Sequence, residues 1–385
     1  MEEYTTFWGY QREDGQVGVR NLLAVIATVH CANFVAERIA AAVGGVSVTH
    51  ELGCMQIGAD LEQTKRVLRG VGNNPNVGAA LVVGLGCEQV YARVLANSIT
   101  GKPVEYLNIQ EKGGTIKAIA AGIQQAQPLL QFLSQQRVME CPTSKLVLGV
   151  KCGGSDPTSG LAANPALGIA SDMLIERGGT VITGTESMYG CEHILAKRAI
   201  AKEVGQQILA SYQKLEQDAA LMGHSFKEAN PTPGNKRAGI TTMVEKGLGA
   251  MMKSGSSPIM GYLEAGARPR GPGLWIMEAR GADLPHLAIA AAGGAQIIVF
   301  TTGQGNPIGL PIAPVIKVTG NGNTYRTQQD DFDLDLSPVI EQGEAIEHAG
   351  RRMFAEIMAV ANGRICKAEI LGHREFAIPK IGSSI

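Results

Sequence analysis

The sequence has 385 residues, of which 45% are hydrophobic and 18% charged, and its formal net charge is −1. A chain of this length and composition is a globular protein of two or three domains, and the absence of a basic run argues against binding to nucleic acid. The longest apolar stretch, Ala288–Phe300, is interrupted by two glycines and a glutamine, so no membrane span is predicted. The seven cysteines are scattered and the N-terminus lacks a leader pattern, so we expect free thiols in a reducing cytoplasm.

Short apolar runs alternate with amphipathic stretches through the first part of the chain. The runs predict strands and the stretches predict helices, which is the order of a parallel sheet built from strand–helix–strand units. The predicted strands are Leu22–Thr28, Val46–Thr49, Ala79–Leu85 and Val104–Ile109, and the predicted helices are Ala32–Val43, Asp60–Gly70, Gln89–Ser98 and Thr115–Gln136.

After a polar stretch that contains Pro142, the same alternation resumes. We therefore predict two doubly wound, mostly parallel-sheet (Rossmann-like) α/β domains, one over residues 1–140 and one over residues 141–385. A segment rich in Pro and Gly near 226–239 is predicted to be a long loop. The predicted strands are Leu146–Val150, Thr180–Thr183, Ile259–Leu263, Leu274–Met277, Gln296–Thr301 and Val315–Thr319, and the helices include Pro165–Arg177, Glu192–Gln217 and Gly343–Ala361.

Cysteine, histidine and acidic residues often stand directly after the predicted strands. Ligands of open α/β sheets bind beyond the carboxyl ends of the strands, and thiolate, imidazole and carboxylate groups suit iron or zinc, so these residues predict a metal site. Each one alone is as readily a buried thiol or a structural histidine, and that alternative stays open. The residues are His30 with Cys31, His50 with Cys54, Cys87 with Glu88, Cys152, and Cys191 with Glu192 and His193.

Two glycine-rich turns leave predicted strands, at Lys151–Asp156 and at Thr301–Pro307. The first turn can present backbone N–H groups and Lys151 to an anion, although a tight turn with Ser155 or Asp156 as a helix cap explains it equally well. Neither turn has the spacing of a Walker A loop or of a dinucleotide-binding fingerprint. We therefore expect a reaction that uses neither NAD(P) nor pyridoxal phosphate.

Over nearly its whole length the chain resembles the altronate/galactarate dehydratase family, in the form of a large subunit that lacks the small SAF-type domain. The resemblance is specific because long motifs occur in the family's order. The segments are Gly9–Asn21, Asn74–Val77, Gly84–Glu88, Glu111–Thr115, Lys151–Asp156 with Ser159, Asn164 and Pro165, Gly190 with Glu192 and His193, Gly239–Lys246 and Phe300–Gly305.

Within that family the sequence carries marks of two activities. Cys54 and Cys87 with Glu88 are similar to the dehydratases, whereas Gly273–Met277, Gly303–Asn306 and Leu371–Phe376 are similar to the sulfolactate sulfo-lyase. The chain departs from the family pattern at Gly184–Tyr189 and at Arg280–Asp283. These departures leave the substrate open.

The resemblance implies a metal-assisted hydro-lyase that removes water from a sugar acid or similar small hydroxy acid and yields a 2-keto-3-deoxy acid. A sulfo-lyase that releases bisulfite and pyruvate is the first alternative, and a binding paralogue without catalysis is the second. The resemblance also implies an oligomer. Because the Gly9–Asn21 motif begins almost at once, we expect the SAF-type domain to be a separate small subunit that completes the site.

The residues and the resemblance together predict a role for each site residue. We expect Glu192 and His193, and with them His50, to do acid–base work. The expected substrate-binding residues are Arg20, Lys151, Ser155, Asp156, Asn164 and Arg280. The expected metal ligands are Cys54, Cys87, Cys152 and Glu88. The metal is expected to be Fe²⁺, with an iron–sulfur cluster or Zn²⁺ as alternatives, and three cysteines are expected to meet at the edge of one sheet.

Overall fold

A computed structural model describes residues 4–185, 187–280 and 282–382 of the chain. These residues form a four-stranded parallel sheet, a seven-stranded parallel sheet and a three-stranded antiparallel sheet. Helices cover both faces of the two parallel sheets. The prediction of an α/β protein with two doubly wound, mostly parallel sheets is confirmed.

The first part of the chain contains the four-stranded sheet and the antiparallel sheet. Its elements are β1 (Thr6–Gln11), β2 (Val17–Gly18), β3 (Leu22–Ala27), α1 (Asn33–Val43), β4 (Val46–Val48), α2 (Gly58–Gly72), β5 (Val77–Gly84), α3 (Ala92–Asn97), β6 (Val104–Asn108), α4 (Thr115–Gln135) and β7 (Met139–Pro142). All eight residues of β5 are buried, since α1 and α4 pack on one face of this sheet and α2 and α3 on the other.

The rest of the chain contains the seven-stranded sheet. Its elements are β8 (Val147–Cys152), α5 (Asn164–Glu176), β9 (Thr180–Gly184), α6 (Glu192–Lys197), α7 (Lys202–Leu221), α8 (Phe226–Ala229), α9 (Pro233–Arg237), α10 (Met243–Met251), β10 (Ile259–Leu263), β11 (Gly273–Met277), α11 (Asp283–Ala292), β12 (Ile297–Thr301), β13 (Val315–Thr319), α12 (Gly322–Thr327), β14 (Leu334–Asp335), α13 (Pro338–Glu341), α14 (Ile346–Ala361) and α15 (Lys367–Leu371). In the part of the chain that the structure describes, no helix is long and apolar enough to cross a membrane.

The antiparallel sheet is an element that the sequence analysis missed. Its central strand β1 pairs with β2 and with β7, so that Thr6 lies opposite Pro142 and Gly9 opposite Met139. The predicted domain boundary after residue 140 falls inside β7. The start of the chain is therefore tied by backbone hydrogen bonds to the segment that joins the two parallel sheets.

The helix predicted over Glu192–Gln217 is interrupted, and this prediction is corrected to two helices, α6 and α7. Between them the Ile200 N–H donates to the Ile259 carbonyl, so the chain adds a short bridge to the edge strand β10. The Arg198 guanidinium bonds the Ser254 hydroxyl and the Ser257 carbonyl and fixes this corner. A continuous helix would forgo these contacts with the sheet.

The segment near 226–239 is not only a loop, because it contains the short helices α8 and α9. Both begin at a hydroxyl residue whose side chain accepts a backbone N–H, Ser225 for α8 and Thr232 for α9. The two prolines and Gly234 lie between these single turns or at the start of the second, and Gly239 follows the second turn.

The two parallel sheets open on the same side of the molecule. At their amino ends, the Asn74 side chain donates to the Ala295 carbonyl and the Asn76 side chain to the Gln296 carbonyl. At their carboxyl ends, the C-terminal tail joins the loop after β12 to the start of α2, because the Gly309 N–H donates to Glu375 and the Ile381 N–H to Asp60. The carboxyl edges of both sheets therefore face the same solvent region.

Candidate functional site

The strand order of the larger sheet points to one place along its carboxyl edge. The order is β10-β11-β9-β8-β12-β13-β14, so the chain moves to one side of β8 first and later returns to the other side at β12. Ligands of open α/β sheets bind at such a switch point. The two glycine-rich turns leave β8 and β12, and the N–H groups of Gly303 and Gln304 both donate to the Gly154 carbonyl, at 3.2 and 2.9 Å. The two predicted turns therefore form one joined surface.

A buried ion pair lies directly beneath these turns. Lys151 is only 3% exposed, and its Nζ lies 3.2 Å from an Asp283 carboxylate oxygen in the first turn of α11. The second Asp283 oxygen accepts the Asn306 side-chain N–H at 3.2 Å. A Cβ on Gly153 would collide with the Asp283 carboxylate, so a glycine is needed for the pair to form. The switch point thus holds a buried lysine that is paired with the Asp283 carboxylate.

Asp156 anchors the turns, and its geometry is that of a structural carboxylate. It accepts the Thr158 hydroxyl at 2.6 Å, the Ser159 N–H at 3.1 Å and the Asn321 side-chain N–H at 2.8 Å. A Cβ on Gly303 would overlap this carboxylate. The neighbouring Ser155 carbonyl accepts the side-chain N–H of Asn235 at 2.8 Å.

A pocket of about 340 Å³ lies beside the same turns. Three predicted substrate-binding residues line it, namely Ser155, Asp156 and Asn164, together with Lys246 and Glu245 of α10. Side-chain and backbone hydrogen bonds from Thr241 keep the pKa of Glu245 below its usual value, so this carboxyl stays ionised at neutral pH.

Asn164 connects the pocket to the sheet. Its oxygen accepts the Thr301 hydroxyl at 2.6 Å and its N–H donates to the Gly249 carbonyl at 2.9 Å. The chain enters α5 here through a π-helical turn over Ser159–Ala163, a distortion often found at functional sites.

The predicted acid–base pair lies one strand away along the same edge. Glu192 and His193 open α6 after β9, which is the neighbour of β8 in the sheet. One Glu192 oxygen accepts the Gly190 N–H at 2.7 Å, while the His193 side chain is exposed. Burial, and after it the Glu192 charge, raise the pKa of the adjacent Cys191 to about 11, so Cys191 is a neutral thiol at physiological pH.

The two arginines predicted to bind substrate form ion pairs with carboxylates of the protein itself. Arg20 precedes β3 at the amino edge of the smaller sheet, where it makes a two-point ion pair with Glu369 and also donates to the Val360 and Arg364 carbonyls. This placement does not favour Arg20 as a substrate-binding residue, because the carboxyl edges lie at the opposite ends of the strands.

Arg280 does follow a strand at the carboxyl edge, since it stands after β11. Its guanidinium is bound by Glu278 and Asp218. Two carboxylates already neutralise it, so a further anion would have to compete with both. The geometry gives Arg280 a structural role and leaves Lys151 as the predicted cation beside the glycine-rich turns.

The smaller sheet has its own switch point. Its order is β4-β3-β5-β6, so the chain reverses between β3 and β5. Glu88 is buried here, and its two oxygens accept the Thr28 hydroxyl at 2.7 Å and the Gly86 N–H at 2.6 Å. These bonds hold together the two loops that leave β3 and β5.

His50, the residue predicted for catalysis or metal binding, is a buried histidine whose hydrogen bonds are satisfied. Its Nδ1 accepts the Leu52 N–H at 3.1 Å, and its Nε2 lies 3.0 Å from the Ala27 carbonyl, to which it must donate. Burial lowers the pKa of His50 to about 4, so the ring is neutral at physiological pH. Both nitrogens are occupied, which speaks against a role as metal ligand.

The cysteines do not meet as the sequence predicted. Cys54 and Cys87 follow strands of the smaller sheet, whereas Cys152 ends β8 in the larger sheet, so the expectation of one shared sheet edge was wrong. Across the described ranges, no group of three or more His, Cys, Asp or Glu side chains is close enough to hold a metal ion. These residues therefore do not fit a single-ion centre.

The sequence matches two domain families in succession. Residues 9–134 match the D-galactarate dehydratase/altronate hydrolase second domain, and residues 143–384 match the D-galactarate/altronate dehydratase C-terminal domain. The chain belongs to the altronate/galactarate dehydratase family. The resemblance stated from the motifs is thereby confirmed.

Relatives in this family are lyases of two kinds. The (2R)-sulfolactate sulfo-lyase subunit beta of Chromohalobacter salexigens is 38% identical over 98% of this chain and 98% of that protein. The altronate dehydratase of Bacillus subtilis is 34% identical over 100% of this chain and 79% of its own length. The galactarate dehydratase (L-threo-forming) of Escherichia coli is 35% identical over 94% of this chain and 74% of its own length. The predicted enzyme class is a lyase that releases water or bisulfite, and the names of all three relatives agree with that class.

Sequence reasoning gave no role to several residues that the structure places at the larger switch point. Asp283 and Asn306 complete the Lys151 cluster, and Lys246 lines the adjacent pocket. The sequence contained a pattern that could have indicated Asp283 and Asn306. Asp283 starts a helix after a strand, and Asn306 lies within a glycine-rich turn. Only the strand order shows that both lie beside Lys151.

Proposed function

We propose that this chain is the large subunit of a hydro-lyase that removes water from a sugar acid or similar hydroxy acid. The observation that supports the proposal is the buried Lys151–Asp283 pair at the switch point, beneath two glycine-rich turns. A small carboxylic acid carries a negative charge, and a preplaced ammonium in a buried site binds it without reorganising solvent. The family relationship supports the reaction class.

The elimination needs a fixed carboxylate, a base and an acid. Lys151 binds the substrate carboxylate and stabilises the charge that develops on it as the α-proton leaves. Glu192 and His193, on the turn after the neighbouring strand, take that proton and protonate the departing hydroxyl. The enol that remains tautomerises to the 2-keto-3-deoxy acid.

A second candidate reaction is the release of bisulfite from sulfolactate. It is favoured by the match to the sulfo-lyase subunit beta, which extends over 98% of both chains. The same Lys151 site serves either acid, because both carry a carboxylate next to the carbon that loses its proton. The two reactions differ in the leaving group, since bisulfite departs with less help from an acid than hydroxide does.

We also propose a separate small SAF-type subunit that docks on the carboxyl edge of the smaller sheet. Exposed apolar side chains border this edge, among them Phe34 at 57%, Met55 at 55%, Ile57 at 54% and Tyr91 at 61% exposure. Neighbouring exposed apolar groups mark interaction surfaces. One relative is named as a subunit, which supports an assembly of more than one chain.

The test is turnover by the purified chain, alone and with the small subunit, on galactarate, altronate, related aldonates and sulfolactate. Formation of 2-keto acid is measured for every substrate, and released sulfite is measured in parallel. Keto acid without sulfite supports the hydro-lyase, and sulfite with pyruvate supports the second candidate. No turnover on any acid contradicts both and favours the binding paralogue. Full activity of the isolated chain contradicts the small subunit.

A further inference from the structure

A cavity of about 360 Å³ lies at the amino ends of both parallel sheets, on the side opposite to the two switch points. The first residues of β8 and β9 line it, together with Arg268 and Arg270 from the connection between β10 and β11. Its other wall is formed by Gln16 and Pro75 from the first part of the chain. Small-molecule sites span about 300–1,000 Å³, so the cavity is large enough for a small ligand.

Three cations in and behind the walls of this cavity are hydrogen-bonded to neutral oxygens. The Arg268 guanidinium donates to the Gln16 side-chain oxygen and to the Asn73 carbonyl. The Lys102 ammonium donates to two backbone carbonyls at the end of α2, both at 2.9 Å. The Arg12 guanidinium donates to two backbone carbonyls and to an asparagine side chain. These hydrogen bonds satisfy the N–H groups but do not neutralise the positive charges.

The positive charges around the cavity exceed the negative ones. Burial, and after it the charges of Arg12 and Arg268, lower the pKa of Lys102 to about 7. Asp14 also lines the cavity and acts on Lys102 in the opposite direction. Its carboxylate already accepts the Gln16 backbone N–H at 3.1 Å. One carboxylate does not balance these cations, so a negatively charged ligand is favoured here.

Arg270 supplies a cation on the open side of the cavity. It is exposed, and within the described part of the chain its guanidinium has no hydrogen bond or ion pair. A guanidinium presents paired N–H groups that match two oxygens of a carboxylate or a phosphate. The space beside it is open, because a Cβ on the neighbouring Gly271 would meet no atom within 4 Å. An anion in this space can therefore reach Arg270 without displacing a protein group.

We propose that this cavity binds a small anion with two or more negative charges, held by Arg270 from the open side and by the charges of Arg268 and Lys102 behind it. Phosphate esters and small polycarboxylates share this chemistry. The site is separate from Lys151, and its binding of an anion does not depend on the proposed reaction. Because its walls come from both parts of the chain, a bound anion stabilises the contact between the two parallel sheets.

The experiment is calorimetric titration of the whole chain with pyrophosphate, citrate and chloride at constant ionic strength. We expect saturable binding of pyrophosphate or citrate at one site per chain, and none of chloride. Arg270→Met should weaken that binding by about 10-fold, because it removes one charge-assisted contact. Gly271→Leu keeps every charge but fills the cavity, so it should weaken binding at least as much.

The matched control is Arg93→Met, since Arg93 is exposed on α3 and does not line the cavity. It should bind both anions as the original protein does. Lys151→Met should also bind them unchanged, because Lys151 lies at the other end of the strands. The melting temperature of each variant without added anion shows whether it is folded.

The outcomes separate this inference from the proposed reaction. Tighter binding of pyrophosphate indicates a phosphate ester and tighter binding of citrate a polycarboxylate, and either result supports the site. Binding of both no tighter than that of chloride overturns it, as does equal weakening by Arg93→Met and Arg270→Met. Loss of binding in Lys151→Met overturns it too, because the anion would then occupy the site of the proposed reaction. A chain that binds pyrophosphate as expected but turns over no hydroxy acid supports the cavity and contradicts the proposed function.

Discussion

The two parallel sheets each reverse their strand order once, and the two switch points carry opposite chemistry. Between β8 and β12 lies a buried cation, Lys151, beneath glycine-rich turns. Between β3 and β5 lies a buried carboxylate, Glu88, bordered by exposed thiols. The first place suits an anion, whereas at the second both oxygens of the buried carboxylate already accept hydrogen bonds from the protein. Strand order therefore determines where a ligand can bind, and the side chains at the strand ends determine which ligand it is.

The largest effect is expected at the larger sheet, for Lys151→Met. This change removes the buried ammonium that is proposed to hold the substrate carboxylate, so we expect kcat/KM to fall by about 100-fold or more, equivalent to about 3 kcal/mol. Steady-state kinetics on the acid that responds in the substrate panel measure the effect. Lys145→Met is the matched control, because Lys145 is exposed and precedes the same strand. If kcat/KM of the Lys151→Met enzyme stays within a few-fold of the original value, Lys151 does not bind the substrate carboxylate.

At the smaller sheet a stability effect with a defined pH range is expected from His50. Its pKa is lowered to about 4 by burial, so between about pH 4 and 6.5 the folded protein binds fewer protons than the unfolded chain. The contribution of His50 to the free energy of unfolding is fully present above about pH 6.5. It decreases by about 3 kcal/mol as the pH falls towards 4. Denaturant unfolding across this range should show a shallower pH dependence for His50→Asn than for the original protein.

The control for that measurement is His224→Asn, since His224 is exposed. It should leave the pH dependence unchanged. Equal slopes for the original protein and His50→Asn would mean that the ring is not held neutral by its backbone partners, and His50 would again be a candidate metal ligand.

A smaller loss of stability is expected from Thr28→Val. The Thr28 hydroxyl donates to a buried Glu88 oxygen, and loss of a hydrogen bond to a buried charged group costs about 2 kcal/mol. Thr100→Val is the control, because Thr100 is exposed. Chemical unfolding of the three proteins gives the difference. An unchanged free energy of unfolding would show that Glu88 does not depend on Thr28 and is free to bind a metal, as the sequence predicted.

The sequence predicted the strands of both parallel sheets well because buried strands such as β5 are continuous apolar runs with helices between them. It missed β1 and β7 because they pair across more than a hundred residues, Thr6 with Pro142, and no local pattern records that pairing. It correctly placed Lys151 and Glu88 at strand ends. It could not assign strands to sheets, and for that reason it grouped Cys152 with Cys54 and Cys87.

Residue type alone also failed to show which side chains were already engaged. Arg20 carries a charge suited to a carboxylate, but its partner Glu369 lies almost at the other end of the chain. His50 stands near cysteines in sequence, but its nitrogens bind backbone groups that only the folded sheet supplies. Burial and long-range partners therefore had to be known before these residues could be separated from Lys151.

The smallest effect is expected for Asn306→Ala at the larger switch point. Its side chain donates to Asp283 at 3.2 Å and accepts the Ile308 N–H at 3.1 Å, so it orients the carboxylate that pairs with Lys151 without carrying charge itself. Loss of one such hydrogen bond costs about 1 kcal/mol, which predicts a decrease of about 5-fold to 10-fold in kcat/KM. Because the ammonium remains, most of the decrease should appear in KM. Asn323→Ala, at an exposed position after β13, should change neither constant. A decrease as large as that of Lys151→Met would mean that Asn306 contacts the substrate directly, and the anion site would then extend over the turn after β12.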